Sequence, residues 1–577
     1  MSSAKEPVTR RFGNGLTVLI KEDKSHPVVS LQYWVGTGSM NEGHWQGSGL
    51  SHLLEHLVFK GTAHFSGQEL ARKVQERGGH WNAYTSVNRT VYYIDGPAES
   101  WQIFLNLLTE LVFFPTFPED EMEREKEVVR REMAMYADDP DSVAYQLLMQ
   151  TLYLKHPRRW PVLGERAAFD CLTRQDVLDY HASRYVPNNV VLSIAGDVDA
   201  AEILSHLELL VEDLKSRPLN REPIPHEPHQ FGSRRVRKEF AVPYSKLHLA
   251  WRLPCSAHPD TPALSALSSI LGGGRSARFY EKFHDRLGLV YSIEVHSNQS
   301  ETDEGAFTIS MDVDRAQRDK VRDLVLQELR NLAEEDFTED LKRVCKQTRV
   351  SRLRRRSSAS GVASEMGADW FGSRNLNLSS EWQEAIERVT TEDLHRVCST
   401  WLSSPNVTEV SLDPPGSNAG DEERASASAG TALSEHVLGN GMKVVIREDH
   451  RLPLAYACMA FKAGCRAENE HDAGVTDLMS ECLLKGTSTR SAADIARFLE
   501  DIGGAINTST GNNSLSVGCQ VLAEDLDAGL ELMADVVMNP SFPEDAFLRE
   551  KESFVADAEE DMEDPLSVAF RQERKVA

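Results

Sequence analysis

A chain of 577 residues, 41% hydrophobic and 26% charged, is too long for a single hydrophobic core and is expected to divide into three or four domains. Its formal net charge of -26 excludes a phosphate-backbone partner, which needs clustered Lys and Arg to displace counterions, so no nucleic acid is expected. The eight cysteines are scattered without a C-x-x-C pair, there is no apolar secretory stretch, and no run of about 18 apolar residues occurs; disulfide framework and membrane span are both excluded, and the cytoplasm is the expected compartment.

In chain order, residues 16–21 and 28–35 alternate as strands, while 49–59 and 68–77 have helical spacing. Residues 81–95 return to strand character, and 99–113 and 119–136 read as long helices. Such an order suits an α+β fold in which helices cover one face of a largely antiparallel sheet. The capping-box starts Thr173 to Asp176 and Thr390 to Asp393 are each followed by Pro-Asn and a short β-branched run, and both read as the last helix and last strand of a module. Two basic runs, 234–238 and 352–356, read as solvated faces rather than anion sites. Gly272 to Gly274 read as a helix end and turn, because no G-x-x-x-x-G-K follows a strand.

The chain also repeats itself. Gly13-Asn14-Gly15 recurs as Gly439-Asn440-Gly441, 426 positions on. After the loss of one residue, an offset of 425 holds for about a hundred positions: Gly61-Thr62 matches Gly486-Thr487, Glu125-Lys126-Glu127 matches Glu550-Lys551-Glu552, and Asp139-Pro140 matches Asp564-Pro565. The expected architecture is therefore a set of repeated modules: a first at 1–217, a second, homologous one at 230–413, a polar linker at 414–431, and a degenerate, truncated copy of the first at 432–577; the H-x-x-E-H motif within residues 49–59 makes 1–217 the expected zinc-binding module and leaves 230–413 without a metal site. The early stop of the third copy leads to the expectation that a fourth module or a partner chain completes the molecule.

Residues 49–59 contain H-x-x-E-H. His52 and His56, one turn apart, project from one helical face and suit two ligands of one zinc, with Glu55 beside them as a general base. A catalytic zinc needs a third protein ligand, and Glu132 in the helix 119–136 is the candidate. Glu125, two turns earlier on the same face, is placed to hydrogen-bond a metal-bound His or to steady the coordinating Glu. On the residues alone, the histidines also read as packed or capped residues, and Glu125 as one charge of a solvated E-R-E-K-E face.

H-L-L-E-H-L-V-F-K-G-T at 52–62, G-G-H-W-N-A-Y-T at 78–85, the spacing of Glu125 and Glu132, and D-D-P at 138–140 together resemble the pitrilysin/insulinase family of zinc metallopeptidases. The resemblance covers the whole chain and implies a clamshell of two halves, here with the second half incomplete. It implies one Zn2+ per chain on His52, His56 and Glu132, with Glu55 as the base. It also places Asn82 and Ala83 on an edge strand that pairs with an extended peptide substrate by main-chain hydrogen bonds. The implied activity is hydrolysis of unstructured peptides inside a chamber; a non-catalytic scaffold subunit and a selective presequence-type processing peptidase are the rival readings.

Two departures matter. At the 425 offset His52, Glu55, His56 and Glu132 become Asp477, Ser480, Glu481 and Asp557, which leaves no imidazole, so the third module is read as a structural pseudo-half. In the second module the family's L-R-x-K-x-G-x-x-Y segment carries Tyr291 in the Tyr position but His284 in the Arg position, which weakens a substrate-binding role for this copy.

Overall fold

The computed structural model describes residues 6–219, 223–298, 305–402, 405–415, 434–446 and 454–554, apart from 465, 467, 470, 471, 503, 512, 552 and 553. The expected linker (from 416 onward), Gly503, Glu552, Asp557 and Asp564-Pro565 lie outside the described residues. The chain forms two compact units, 1–425 and 426–577.

The first unit holds two sheets of one design. Strands β1 (Val8–Arg11), β2 (Thr17–Glu22), β3 (Val28–Val35), β4 (His80–Thr85), β5 (Thr90–Pro97) and β6 (Val190–Gly196) lie in the order β1-β2-β6-β3-β5-β4. Strands β7 (Arg234–Glu239), β8 (Ser245–Leu253), β9 (Val290–Asn298), β10 (Gly305–Val313) and β11 (Thr408–Asp413) lie in the order β7-β11-β8-β10-β9. Each sheet has one parallel pair, β2 with β6 and β7 with β11, and is otherwise antiparallel. Matched from β2 and β7 onward, the two orders coincide, so β9 occupies in the second sheet the edge that β4 occupies in the first.

Helices α1 (Leu50–Val58), α2 (Gly67–Gln75), α3 (Trp101–Phe113), α4 (Glu119–Asp138) and α5 (Pro140–Leu152) follow the strand pairs. α1 and α3 pack on the first sheet with Leu31, Tyr33, Tyr92 and Ile94 in the main core. The two sheets then exchange helices. The helix Ala359–Ser373, from the second half of the unit, covers the other face of the first sheet through Val362, Ala363 and Met366 against Trp34, Val91 and Val191. Conversely, α5 lays Leu148, Met149 and Leu152 on Ala250, Ala306 and Val410 of the second sheet. Both contacts carry polar ties: Gln32 Nε2 donates to the Ser360 carbonyl at 3.1 Å, and Lys246 pairs with Asp141 at 2.6 Å.

Sequence expectations for the elements hold with two adjustments. Residues 81–95 form two strands joined by a hydrogen-bonded turn, Ser86 N to Arg89 O, rather than one stretch. The capping boxes at Thr173 and Thr390 are formed, yet in the first half β6 is followed by one more helix, Ala200–Leu210, started by Asp199, so Arg174–Arg184 is not the last helix there. The basic runs lie on exposed faces, as expected, and are paired there: Arg235 and Arg237 meet Glu409, and Arg352 and Arg356 share Glu365.

The second unit has strands β12 (Ser434–Val437), β13 (Lys443–Ile446), β14 (Leu454–Phe461), β15 (Ala505–Thr510) and β16 (Leu515–Leu522). β12 pairs with β13, and the other three take the order β14-β16-β15, which matches β3-β5-β4. Val517, Cys519, Leu532 and Val536 form its core. Among the described residues no helix is long and apolar enough to cross a membrane.

Candidate metal centre

α1 is fixed by its apolar face. Leu50, Leu53, Leu54 and Leu57 recur at helical spacing and are fully buried, each stabilising by about 2 kcal/mol. The helix starts at Gly49, whose φ of +73° and close approach to the Leu163 carbonyl leave no room for a Cβ. The Glu42 carboxylate accepts from the Ser51 N–H at 2.8 Å and satisfies one of the donors exposed at the helix start. His52, Glu55 and His56 consequently project from the face opposite the leucines.

α4 brings the carboxylates. Met122, Lys126 and Val129 bury one face, and the Lys126 ammonium donates to the Leu172 carbonyl at 2.9 Å. This sets Glu132 beside both imidazoles: its Oε2 lies 3.7 Å from His52 Nε2 and 3.8 Å from His56 Nε2. Among the described residues this is the one group of three or more His, Cys or carboxylate side chains with metal-ligand spacing, its ligand atoms all within 4.8 Å of one another.

The donor set fits zinc. Ligands about 2.0–2.2 Å from a tetrahedral ion stand about 3.3–3.6 Å apart, slightly closer than the separations seen here, which are too long for hydrogen bonds. Burial, with a smaller push from His56, holds His52 down to about 3, so its ring is neutral and able to ligate. For His56, burial opposes the charged form, but the Glu125 hydrogen bond and the charges of Glu55, Glu125 and Glu132 outweigh it and hold the ring above its usual value. Its Nδ1 meets Glu125 Oε2 at 3.2 Å, and with the proton there Nε2 is left turned towards Glu132.

Glu125 is itself held by Lys60, 2.6 Å away. Burial raises its carboxyl, but the His56 and Lys60 hydrogen bonds win and hold it below the usual range. Glu55 goes the other way: burial raises it against the opposing hydrogen bond from Thr85, whose hydroxyl donates to Oε2 at 2.5 Å. Thr85 belongs to β4, where Trp81, Ala83 and Thr85 are half-buried while Asn82 and Tyr84 face out. β4 is the edge strand and pairs only with β5, so Asn82 and Ala83 sit on an edge without a further strand among the described residues.

Tyr291 lies on β9, 60% exposed, with its ring 5.2 Å from that of Tyr244. His284 stacks on Tyr280 and meets Asp285 at 2.7 Å. No hydrogen bond or ring contact joins either to the cluster among the described residues. Sequence reasoning passed over Thr85, Lys60 and Glu42. Strand alternation from Ala83 would have put Thr85 on the helix side, whereas Lys60 lies just past the helix end, where periodicity no longer indicates direction.

Comparison with known proteins gives the family. A family described as insulinase (peptidase family M16) matches residues 17–166 and 443–575, and one described as the peptidase M16 inactive domain matches 172–347. The chain belongs to the insulinase family, M16. Within it, an uncharacterized zinc protease of Rickettsia felis is 27% identical over 406 residues, 68% of this chain and 94% of that one. Another, of Mycobacterium bovis, is 30% identical over 299 residues, covering 51% and 67%. A solved protease from Helicobacter pylori superposes with a TM-score of 0.65 at 26% identity, over 71% of this chain and 100% of that one. A peptidase M16 inactive domain from Pseudomonas fluorescens has the same TM-score at 21% identity and supports the fold alone.

Proposed function

We propose that the chain is a zinc-dependent endopeptidase that hydrolyses unstructured peptides. The observation that carries this is the meeting of His52, His56 and Glu132 beside Glu55, next to the open edge of β4. His52 and His56, through Nε2, and Glu132 would hold one zinc ion, which when bound supplies Lewis acidity at that point. Glu55 takes the proton of the attacking water on its carboxylate and returns it to the leaving amine; burial raises its pKa towards the operating pH, which favours such a base. Thr85 fixes the Glu55 carboxylate, Glu125 orients His56, and Lys60 balances the charge of Glu125. The peptide backbone pairs with β4 at Asn82 and Ala83.

Residues 1–217 form the catalytic module in this reading, 230–413 a module without metal, and 432–577 a non-catalytic copy. An enclosing chamber, with Tyr291 near substrate, belongs to the same reading and rests on family resemblance. The scaffold alternative is disfavoured by the complete set of His52, Glu55, His56 and Glu132. Glu55→Gln decides between them: it is expected to keep zinc and fold while losing about 10²- to 10⁴-fold in hydrolysis of a quenched fluorescent peptide. Near-parental turnover by that variant would remove Glu55 as the base, and absence of turnover in the parent would favour the scaffold.

A further inference from the structure

A cavity of about 580 Å3 lies in the first unit, at the end of the first sheet beneath the helix Ala359–Ser373, and shares no residue with the His52, His56 and Glu132 cluster. Its polar lining includes Arg11, Asn41, Asn88, Asn188, Trp370 and Arg374, and no Asp or Glu lines it. A volume of this size is in the range of small-ligand sites.

The charges in it are unbalanced. Arg11, on β1, and Arg374, just past the end of the helix, converge from positions far apart in sequence, and neither has an ion pair among the described residues. Arg374 is close enough to Arg11 to feel its charge: burial first, and then Arg11, hold the guanidinium below its usual pKa. A cation at a helix C-terminus is favourable by itself, which accounts for Arg374 but not for a second arginine beside it. Arg374 also occupies a left-handed conformation, φ +59°, at a cap position where Gly or Asn is usual. Finally, the indole N–H of Trp370 is buried with no hydrogen-bond partner. Two forked cations and an unused donor around a space without carboxylates make a receptor for an anion with oxygen acceptors.

We propose that this cavity binds an oxyanion group, a carboxylate or a phosphate, between the guanidinium groups of Arg11 and Arg374, with the Trp370 indole as a further donor. Arg gives both groups the same bidentate recognition, so the source of the anion is a question for experiment. Asn88 belongs to the turn between β4 and β5, and the Met40 N–H donates to the Val87 carbonyl in the same turn at 2.8 Å. A bound anion therefore borders the hairpin that carries Thr85.

The test is calorimetric titration of the intact chain with inorganic phosphate, with N-acetyl-dialanine, and with the amide of that dipeptide. Arg11→Gln, Arg374→Gln and the double variant are titrated alongside. Neither arginine side chain makes an ion pair or hydrogen bond among the described residues, so the variants are expected to melt like the parent without ligand. Phosphate or the dipeptide acid is expected to bind the parent, with affinity at least about tenfold lower in each single variant and lost in the double one. Binding of the acid but not its amide assigns a carboxylate; binding of phosphate alone assigns a phosphate. The proposal is overturned if neither anion binds the parent, or if binding persists in the double variant, which would place the anion elsewhere, for instance on the metal cluster.

Discussion

The metal module and its copy in the second unit share a framework and differ in chemistry. Both begin the metal-motif helix at a left-handed glycine, Gly49 and Gly474, and cap it with a glutamate, Glu42 on Ser51 and Glu468 on Thr476. The Thr85 hydroxyl donates to Glu55, while Thr510, its counterpart on β15, donates to Asp477. The ion pair of Lys60 and Glu125 at 2.6 Å recurs as Lys485 and Glu550 at 2.7 Å. Even the backbone bridge from Thr62 to Pro115 recurs from Thr487 to Pro540. What the copy lacks is His52, Glu55 and His56, replaced by Asp477, Ser480 and Glu481. The local fold therefore forms without the imidazoles, which separates the metal-binding role proposed for His52 and His56 from folding.

The copies also differ in cover. β2 is flanked by β1 and β6, and Leu19 and Ile20 are buried; among the described residues β13 pairs with β12 alone, and Val445 and Ile446 are 57% and 44% exposed.

Paired substitutions sharpen this contrast. The largest effect is expected from Glu125→Gln, which removes the carboxylate that orients His56 and should weaken zinc binding about 10- to 100-fold in a competition titration with a chelator. Glu550→Gln, the matched change, should leave zinc affinity unchanged; an equal loss from both would mean that the second unit contributes to metal binding. Next comes Thr85→Val, expected to lower kcat about tenfold with KM and zinc content unchanged, because only the placement of Glu55 is disturbed. Rescue by Thr85→Ser and no effect from Thr510→Val complete the pattern. A rise in KM alone would instead tie Thr85 to substrate binding.

The smallest effect concerns the two helix caps. Burial pushes Glu42 up to about 8 from an ordinary 4.5, whereas Glu468, near solvent, is held below its usual value by the Gly474 and Thr476 hydrogen bonds. A raised carboxyl favours the fold fully below its unfolded value, and that stability is lost as pH rises from about 4.5 towards 8. Glu42→Gln should therefore gain in Tm relative to the parent as pH rises across that window. Glu468→Gln should show the opposite and much weaker trend, a deficit above pH 4.5 that fades on acidification. Parallel Tm curves for Glu42→Gln and the parent would show that the buried carboxylate stays ionised in the fold.

Much of this was legible in the sequence, for identifiable reasons. His52, Glu55 and His56 lie within one helical turn or so of one another, where periodicity fixes direction; Glu125 and Glu132 lie on one face for the same reason. The strand at 28–35 is legible because Val29, Leu31 and Tyr33 alternate with Ser30 and Gln32 at its centre. Long-range matters were not legible. The exchange of α5 and Ala359–Ser373 between sheets depends on which apolar faces meet, and periodicity says only that such faces exist. The hydrogen bond of Thr85 to Glu55 joins a strand to a helix across thirty positions, and nothing local announces it. The helix Ala200–Leu210 was passed over because the β-branched run before it read as the end of a module, although Asp199 is an ordinary N-cap.

The central claim is that one metal site exists and that it lies in the first module. Zinc content of the purified chain, measured by elemental analysis after zinc supplementation and gel filtration, tests it most directly. The account predicts one equivalent per chain for the parent and for Asp477→Ala/Glu481→Ala, and none for His52→Ala/His56→Ala. Two equivalents in the parent, or one retained after both histidines are removed, would contradict it.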